Sequence, residues 1–122
     1  MTASPPTTSG AAEAPRTALI VCGDLMTGGP LVQAVRSAGM TPTRALSVAK
    51  ADAGDAAAII LDLSLPGAAA WLADLPEHAP PTLSFGPHVL ADLLKTARAA
   101  ERGPVLTRSQ LADGLPAWLA TL

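Results

Sequence analysis

Two short, uninterrupted apolar runs frame this sequence: Ala18-Leu19-Ile20-Val21-Cys22 and Ala57-Ala58-Ile59-Ile60-Leu61. A strand covered by helices on both faces reads this way, whereas a strand with one wet face alternates. Gly23-Asp24 stops the first run and Asp62 ends the second. Between them, Leu31, Val32, Val35 and Ala38 recur at helical spacing, with Pro30 suited to the first helical position and Gly39 to the C-terminal cap. Thr43 to Val48 predicts a second strand, more polar and so nearer an edge. Lys50 to Asp55 predicts a short, sparse helix.

Beyond Asp62, Leu63-Ser64-Leu65-Pro66-Gly67 predicts a turn, followed by a short helix through Trp71, Leu72 and Leu75. Pro76, Pro80 and Pro81 punctuate its exit. Thr82 to Phe85 predicts a fourth strand, closed by Gly86-Pro87. Val89, Leu90, Leu93, Leu94 and Ala97 give the clearest amphipathic helix, ended by Gly103. Pro104 to Thr107 predicts a fifth strand. Leu111, Leu115, Trp118, Leu119 and Leu122 form a last helical face, which Pro116 is expected to break into two pieces.

Strands and helices thus alternate about every twenty residues, which predicts an α/β fold: a doubly wound, five-stranded parallel sheet with helices on both faces. Sites in such sheets lie beyond the carboxyl ends of the strands, at the switch in strand order. The residues placed there are Gly23, Asp24, Asp62, Ser64, Ser84, Gly86 and Arg108. Residues 1–16, rich in Pro, Ser, Thr, Ala and Gly, predict a disordered tail, and residues 17–122 one domain.

Composition narrows the chemistry. Lys and Arg total 8, Asp and Glu total 10, and the net charge is -2, which argues against a nucleic-acid surface or a polybasic membrane contact. No apolar stretch approaches a membrane span and no secretory pattern opens the chain, so the expected location is the cytoplasm. Aromatics are 2% (Trp71, Phe85 and Trp118), so Ala, Leu, Val and Ile must build the core. Cys22, the single cysteine, has no basic neighbour in sequence to activate it and reads as a small buried residue. His78 and His88 lack metal-ligand spacing and read as solvent-facing. The run GDLMTGGP lacks the Gly-Lys-Ser/Thr ending of a P-loop, so Gly28-Gly29 reads as a flexible lead into the first helix.

Over residues 17–122 the sequence resembles the receiver domains of two-component response regulators. The run IILDLSLPG is similar to the motif in which an aspartate ends strand three, and it puts Asp62 on the phosphoacceptor and Pro66-Gly67 on the following turn. The acidic pair that follows strand one in that family is matched to LIVCGD, with Gly23 on the first acid and Asp24 on the second. Gly86 falls where a Thr or Ser ends strand four, and Arg108, in VLTRSQ, where a lysine ends strand five. Ser109 replaces the proline after that lysine, and Val105 the aromatic switch residue.

The resemblance implies the strand order 2-1-3-4-5 and phosphoryl transfer from a phosphohistidine donor to Asp62, an event of positioning and charge neutralisation. It implies magnesium, held by Asp24, Asp62 and the backbone carbonyl of Ser64, in a site weakened by Gly23 in place of an acid. Arg108 is implied as a phosphate contact, a planar fork that does not duplicate an ammonium. Without a proline at Ser109, the preceding peptide bond is expected to be trans. On the residues alone, Asp62 has an alternative reading as a cap for the turn at Ser64, Asp24 as a partner for backbone donors ahead of the first helix, and Arg108 as an ion-pair partner of either. The expectation is a stand-alone, degenerate receiver, not an enzyme, with weak or absent phosphorylation of Asp62 and output by protein contact. Its partner would be a histidine kinase or downstream effector, or a second copy through helix four (Val89–Ala97), strand five (Pro104–Thr107) and helix five (Leu111–Leu122), where Trp118 is a candidate contact. The alternatives are an active magnesium-dependent receiver and a flavodoxin-like ligand-binding domain.

Overall fold

The computed structural model describes residues 16–122; the expected tail, apart from Arg16, lies outside the described residues. In chain order the elements are β1 (Thr17–Val21), α1 (Leu25–Ser37), β2 (Thr41–Ala45), a 3-10 turn (Val48–Lys50), β3 (Ala58–Asp62), α2 (Ala68–Ala73), β4 (Thr82–Gly86), α3 (Ala91–Ala99), β5 (Val105–Thr107) and α4 (Arg108–Leu119). All strand pairs are parallel, in the order β2-β1-β3-β4-β5. The expected sheet and its order are therefore present. The switch point lies between β1 and β3, whose register pairs Val21 with Leu61.

The two apolar runs form the middle of the sheet because they are buried on both faces: all of β3, and β1 from Ala18 to Val21. On one face Ala18, Ile20, Ile60, Leu83 and Phe85 pack with Leu31 and Val35 of α1 and Leu115 and Leu119 of α4. On the other, Leu19, Val21, Ile59 and Leu61 pack with Ala68 and Leu72 of α2 and Leu94 and Ala97 of α3. Each face receives one half-buried tryptophan, Trp118 on the first and Trp71 on the second. β2 is the polar edge strand, as expected, but spans Thr41–Ala45, two residues before its predicted start.

The prolines are placed differently from expectation. Asp24 caps α1 and starts it at Leu25, so Pro30 lies inside the helix and not at its first position. Pro116 does not divide α4, which runs unbroken from Arg108 to Leu119. The carbonyl that Pro116 leaves unbonded belongs to Ala112; both residues are exposed, so water can satisfy it. The sparse helix expected at Lys50–Asp55 reduces to the 3-10 turn, because Gly54 takes a φ of 45° and ends regular structure while Ala51, Ala53 and Ala56 pack on the core. The amphipathic helix starts at Ala91, leaving Val89 outside it and 75% exposed.

Arg102 and Gly103 tie α3 back to the sheet. The Arg102 guanidinium donates to the carbonyls of Ala73, Leu75 and Pro76, satisfying the end of α2, and its own carbonyl accepts from the Thr82 N–H. Gly103 has a φ of 148°, and a Cβ there would collide with the Thr82 carbonyl. Gly103→Ala is therefore expected to cost about 2–3 kcal/mol or more, measured by urea unfolding.

Candidate functional site

The strand ends meet as the parallel fold requires, but with a different cast from the expected one. The buried polar side chains among the described residues are Asp62, Thr82 and Ser84. Asp62 ends β3 and is 2% exposed. Its Oδ1 accepts from the Ser64 backbone N–H at 2.9 Å and the Ser64 hydroxyl at 2.7 Å, an Asx turn closed by its own loop. The chain then makes a second turn, in which the Ala68 N–H donates to the Leu65 carbonyl at 3.1 Å. Pro66 takes its first corner and Gly67 its second, at φ 77° and ψ 3°: a type II turn, with proline and glycine where their backbones suit it. Thus LSLPG builds both the cap of Asp62 and the start of α2.

The other Asp62 oxygen faces β1. There the Cys22 sulfur lies 3.7 Å from Asp62 Oδ2 and 3.6 Å from the Asp24 carbonyl oxygen, two acceptors that share its single proton. Since β1 ends at Val21, the positions that follow it are Cys22 and Gly23. The side chain beside Asp62 is therefore a thiol, and Asp24 stands one residue beyond Gly23. Burial raises the Cys22 thiol pKa above its ordinary range, and the Asp62 charge and hydrogen bond raise it further. Cys22 is buried as expected, but its sequence context did not reveal its contact with Asp62, because that contact joins residues 40 apart in sequence. At Gly23 itself, a Cβ would sit 3.1 Å from the Leu46 carbonyl oxygen and 3.2 Å from a Leu65 methyl.

Asp24 is exposed and serves α1. Its Oδ1 accepts from the Met26 N–H at 3.0 Å and its Oδ2 from the Thr27 hydroxyl at 2.7 Å. The Thr27 hydroxyl and then the Met26 N–H hold its carboxyl below the usual aspartate range, against a smaller effect of desolvation; the Arg108 guanidinium adds the weakest pull. Arg108 does not end strand five. Thr107 does, and Arg108 is the exposed first residue of α4. The Thr107 N–H donates to Gln110 Oε1 at 3.0 Å, one half of a reciprocal capping box, and the Thr107 and Ser109 hydroxyls lie 3.0 Å apart. The helix therefore begins at once, and Arg108 points from its first turn. The peptide after it is trans, as expected without proline.

Gly86 ends β4, and a Cβ added there would lie 3.5 Å from Leu63 Cβ and 3.6 Å from a Leu94 methyl, so apolar neighbours surround that position. Val105 is half-buried against the α2–α3 face, and His78 and His88 are exposed. Among the described residues no group of three His, Cys, Asp or Glu side chains is placed to hold a metal ion. Three large apolar side chains are strongly exposed: Met26, Leu46 and Val89. They follow β1, β2 and β4 at the carboxyl ends of the strands, Met26 in the first turn of α1 and Leu46 and Val89 in loops.

No protein-family model matches this sequence, and no curated protein matches it. Solved structures do. The receiver domain of the Francisella response regulator 1452 superposes with a TM-score of 0.73 at 14% identity, covering 87% of this chain and 94% of that one. A putative response regulator from Chloroflexus aurantiacus gives 0.71 at 23% identity, over 88% and 99% of the two chains. The phosphorylated cyanobacterial phytochrome response regulator RcpA gives 0.69 at 14%, over 88% and 91%. The chain has the flavodoxin-like fold of response regulator receiver domains. No helix among the described residues is long and apolar enough to cross a membrane.

Two substitutions test the hydrogen bonding of the site. Ser64→Ala removes the hydroxyl donor to buried Asp62 and is expected to cost about 1.5–3 kcal/mol in urea unfolding. Asp24 contributes stability that is complete above the unfolded aspartate pKa and lost as pH falls through its lower, folded value. Asp24→Asn keeps a capping oxygen, so the melting temperature should change little at neutral pH and fall less steeply than in the wild type below about pH 4.

Proposed function

We propose that this chain is a receiver-fold signalling domain that works without phosphorylation of Asp62 and passes its signal through protein contact. The observation that carries this reading is the set of partners around Asp62. Its oxygens are taken by the Ser64 N–H, the Ser64 hydroxyl and the Cys22 thiol. The fold's magnesium does not fit these residues. Magnesium needs near-octahedral oxygen ligation and draws on carboxylates. Here the neighbour of Asp62 is a protonated thiol, Asp24 is committed to α1, and Gly23 supplies no ligand. Arg108, the expected phosphate contact, is exposed on α4, and its charge reaches Asp24 only weakly.

In this reading the chain is a binding module and not an enzyme, and its partner is a cytoplasmic signalling protein, a kinase or an effector. The contact is assigned to the face at the carboxyl ends of the strands, where Met26 in the first turn of α1 is 86% exposed and Val89 and Leu46 in the loops are 75% and 53% exposed. The surface of α3, β5 and α4 is less suited, since Trp118 packs half-buried against the core. Incubation with acetyl phosphate and magnesium is expected to leave the intact mass unchanged. A mass gain present in the wild type and lost in Asp62→Asn would overturn the reading.

A further inference from the structure

We infer that the groove between α1 and α4 is a docking site for the chain's own segment before β1, which runs along it from the mouth at Ala38 and Ala120 toward Pro30. The inference stands apart from the reading of Asp62, which concerns the other end of the strands. The groove encloses about 590 Å³, between Pro30, Ala34 and Ala38 on the α1 side and Pro116 and Ala120 on the α4 side. No charged side chain lines it, and apart from half-buried Ala34 these residues are exposed.

The occupant is set by where the chain enters the sheet. Arg16 directly precedes β1, and its carbonyl accepts from the Thr41 N–H at 2.8 Å. Ala38 comes three residues before Thr41, so the mouth of the groove lies within about 11 Å of that bond. About four extended residues cover that distance, and about four more cover the roughly 12 Å that α1 rises from Pro30 to Ala38. Fifteen residues precede Arg16. Their chemistry matches the groove: residues 2–15 carry one charged side chain, Glu13, and are otherwise Ala, Pro, Ser, Thr and Gly. Such short side chains let an extended backbone approach the floor of Ala34, Ala38 and Ala120, where Gln33 and Ser37 offer it hydrogen bonds. One turn before Pro116, the Ala112 carbonyl lacks its helix donor and is free to accept an N–H from outside. Pro5-Pro6 and Pro15 restrict the segment toward extended conformations, which lowers the entropy lost on docking. Attachment supplies the rest. A segment held by a short linker meets the groove at an effective concentration in the roughly millimolar range, so a contact too weak to hold a free peptide suffices.

The test attaches a nitroxide to the full chain at Ser4→Cys and reads backbone amide signals by NMR; Cys22, fully buried, stays unlabelled. Docking carries position 4 past Pro30. The Gly29 and Ala112 amides should then lose most of their intensity, and more than Gly39 and Thr41, which lie beside Arg16. Ala120→Trp, at an exposed position, fills the groove and should restore both signals. Ser37→Trp fills it from α1 with the same expected result, so the outcome does not hang on one variant folding. Losses greatest at Gly39 and Thr41, or spread over α2 and α3 on the opposite face, overturn the inference. So do losses at Gly29 and Ala112 that persist in both variants. Losses at those amides in a mixture of nitroxide-labelled protein with unlabelled, isotope-enriched protein assign the groove to a second copy and overturn it too. None of these outcomes bears on Asp62, whose own test is the mass after acetyl phosphate.

Discussion

The pairing of β1 with β3, two strands buried on both faces, is the constraint from which the rest of this structure follows. Neither strand can carry a polar side chain along its length without leaving it unsatisfied. Polar chemistry is therefore pushed to the strand ends, and the ends that meet belong to the strands on either side of the topological switch. Asp62 is the charged residue that this arrangement buries, and its position dictates its partners. One oxygen is satisfied from its own turn, through Ser64, and the other from across the sheet, through Cys22. The same carboxyl thus fixes the loop into α2 and links β3 to the loop after β1.

The fold was legible because its signals are local and agree with one another. The apolar runs at Ala18–Cys22 and Ala57–Leu61, the spacing of Leu31 and Val35, and the Pro66-Gly67 corner each specify one kind of backbone, and together they leave one architecture. Strand order came from the resemblance instead, and the superposed receiver domains bear it out. The errors fall where one local signal outranks another. Pro30 looked like a helix start, yet Asp24 and Thr27 offer a stronger one a turn earlier. Pro116 looked like a break, yet an exposed helix tolerates the loss of one hydrogen bond when its start is fixed by Thr107 and Gln110.

The candidate site was less legible, for a different reason. Its central aspartate is marked by sequence, but its partners are set by where strands stop, to the residue. With β1 ending at Val21, the side chain next to Asp62 is a thiol and Asp24 lies beyond it. A shift of one residue moves Arg108 from a strand end to a helix start. Arg102 was missed altogether, because its three carbonyl partners at the end of α2 are 26 to 29 residues away in sequence. Nothing nearby in the chain announces such a contact.

The polar edge strand has a consequence for how other chains can approach. Thr41 donates to Arg16 and Ala45 accepts from Cys22, so the odd-numbered residues of β2 bond toward β1. Pro42 and Arg44 therefore turn their backbone outward, and at Pro42 that outer edge has no N–H to offer. Arg44 folds its guanidinium over Gly28 of α1, setting a charge beside the same edge. The opposite edge, β5, is three residues long. One edge is blunted by chemistry and the other by length, so the sheet resists growth by strand addition from either side. A strand from a second copy thus finds little to pair with at either edge.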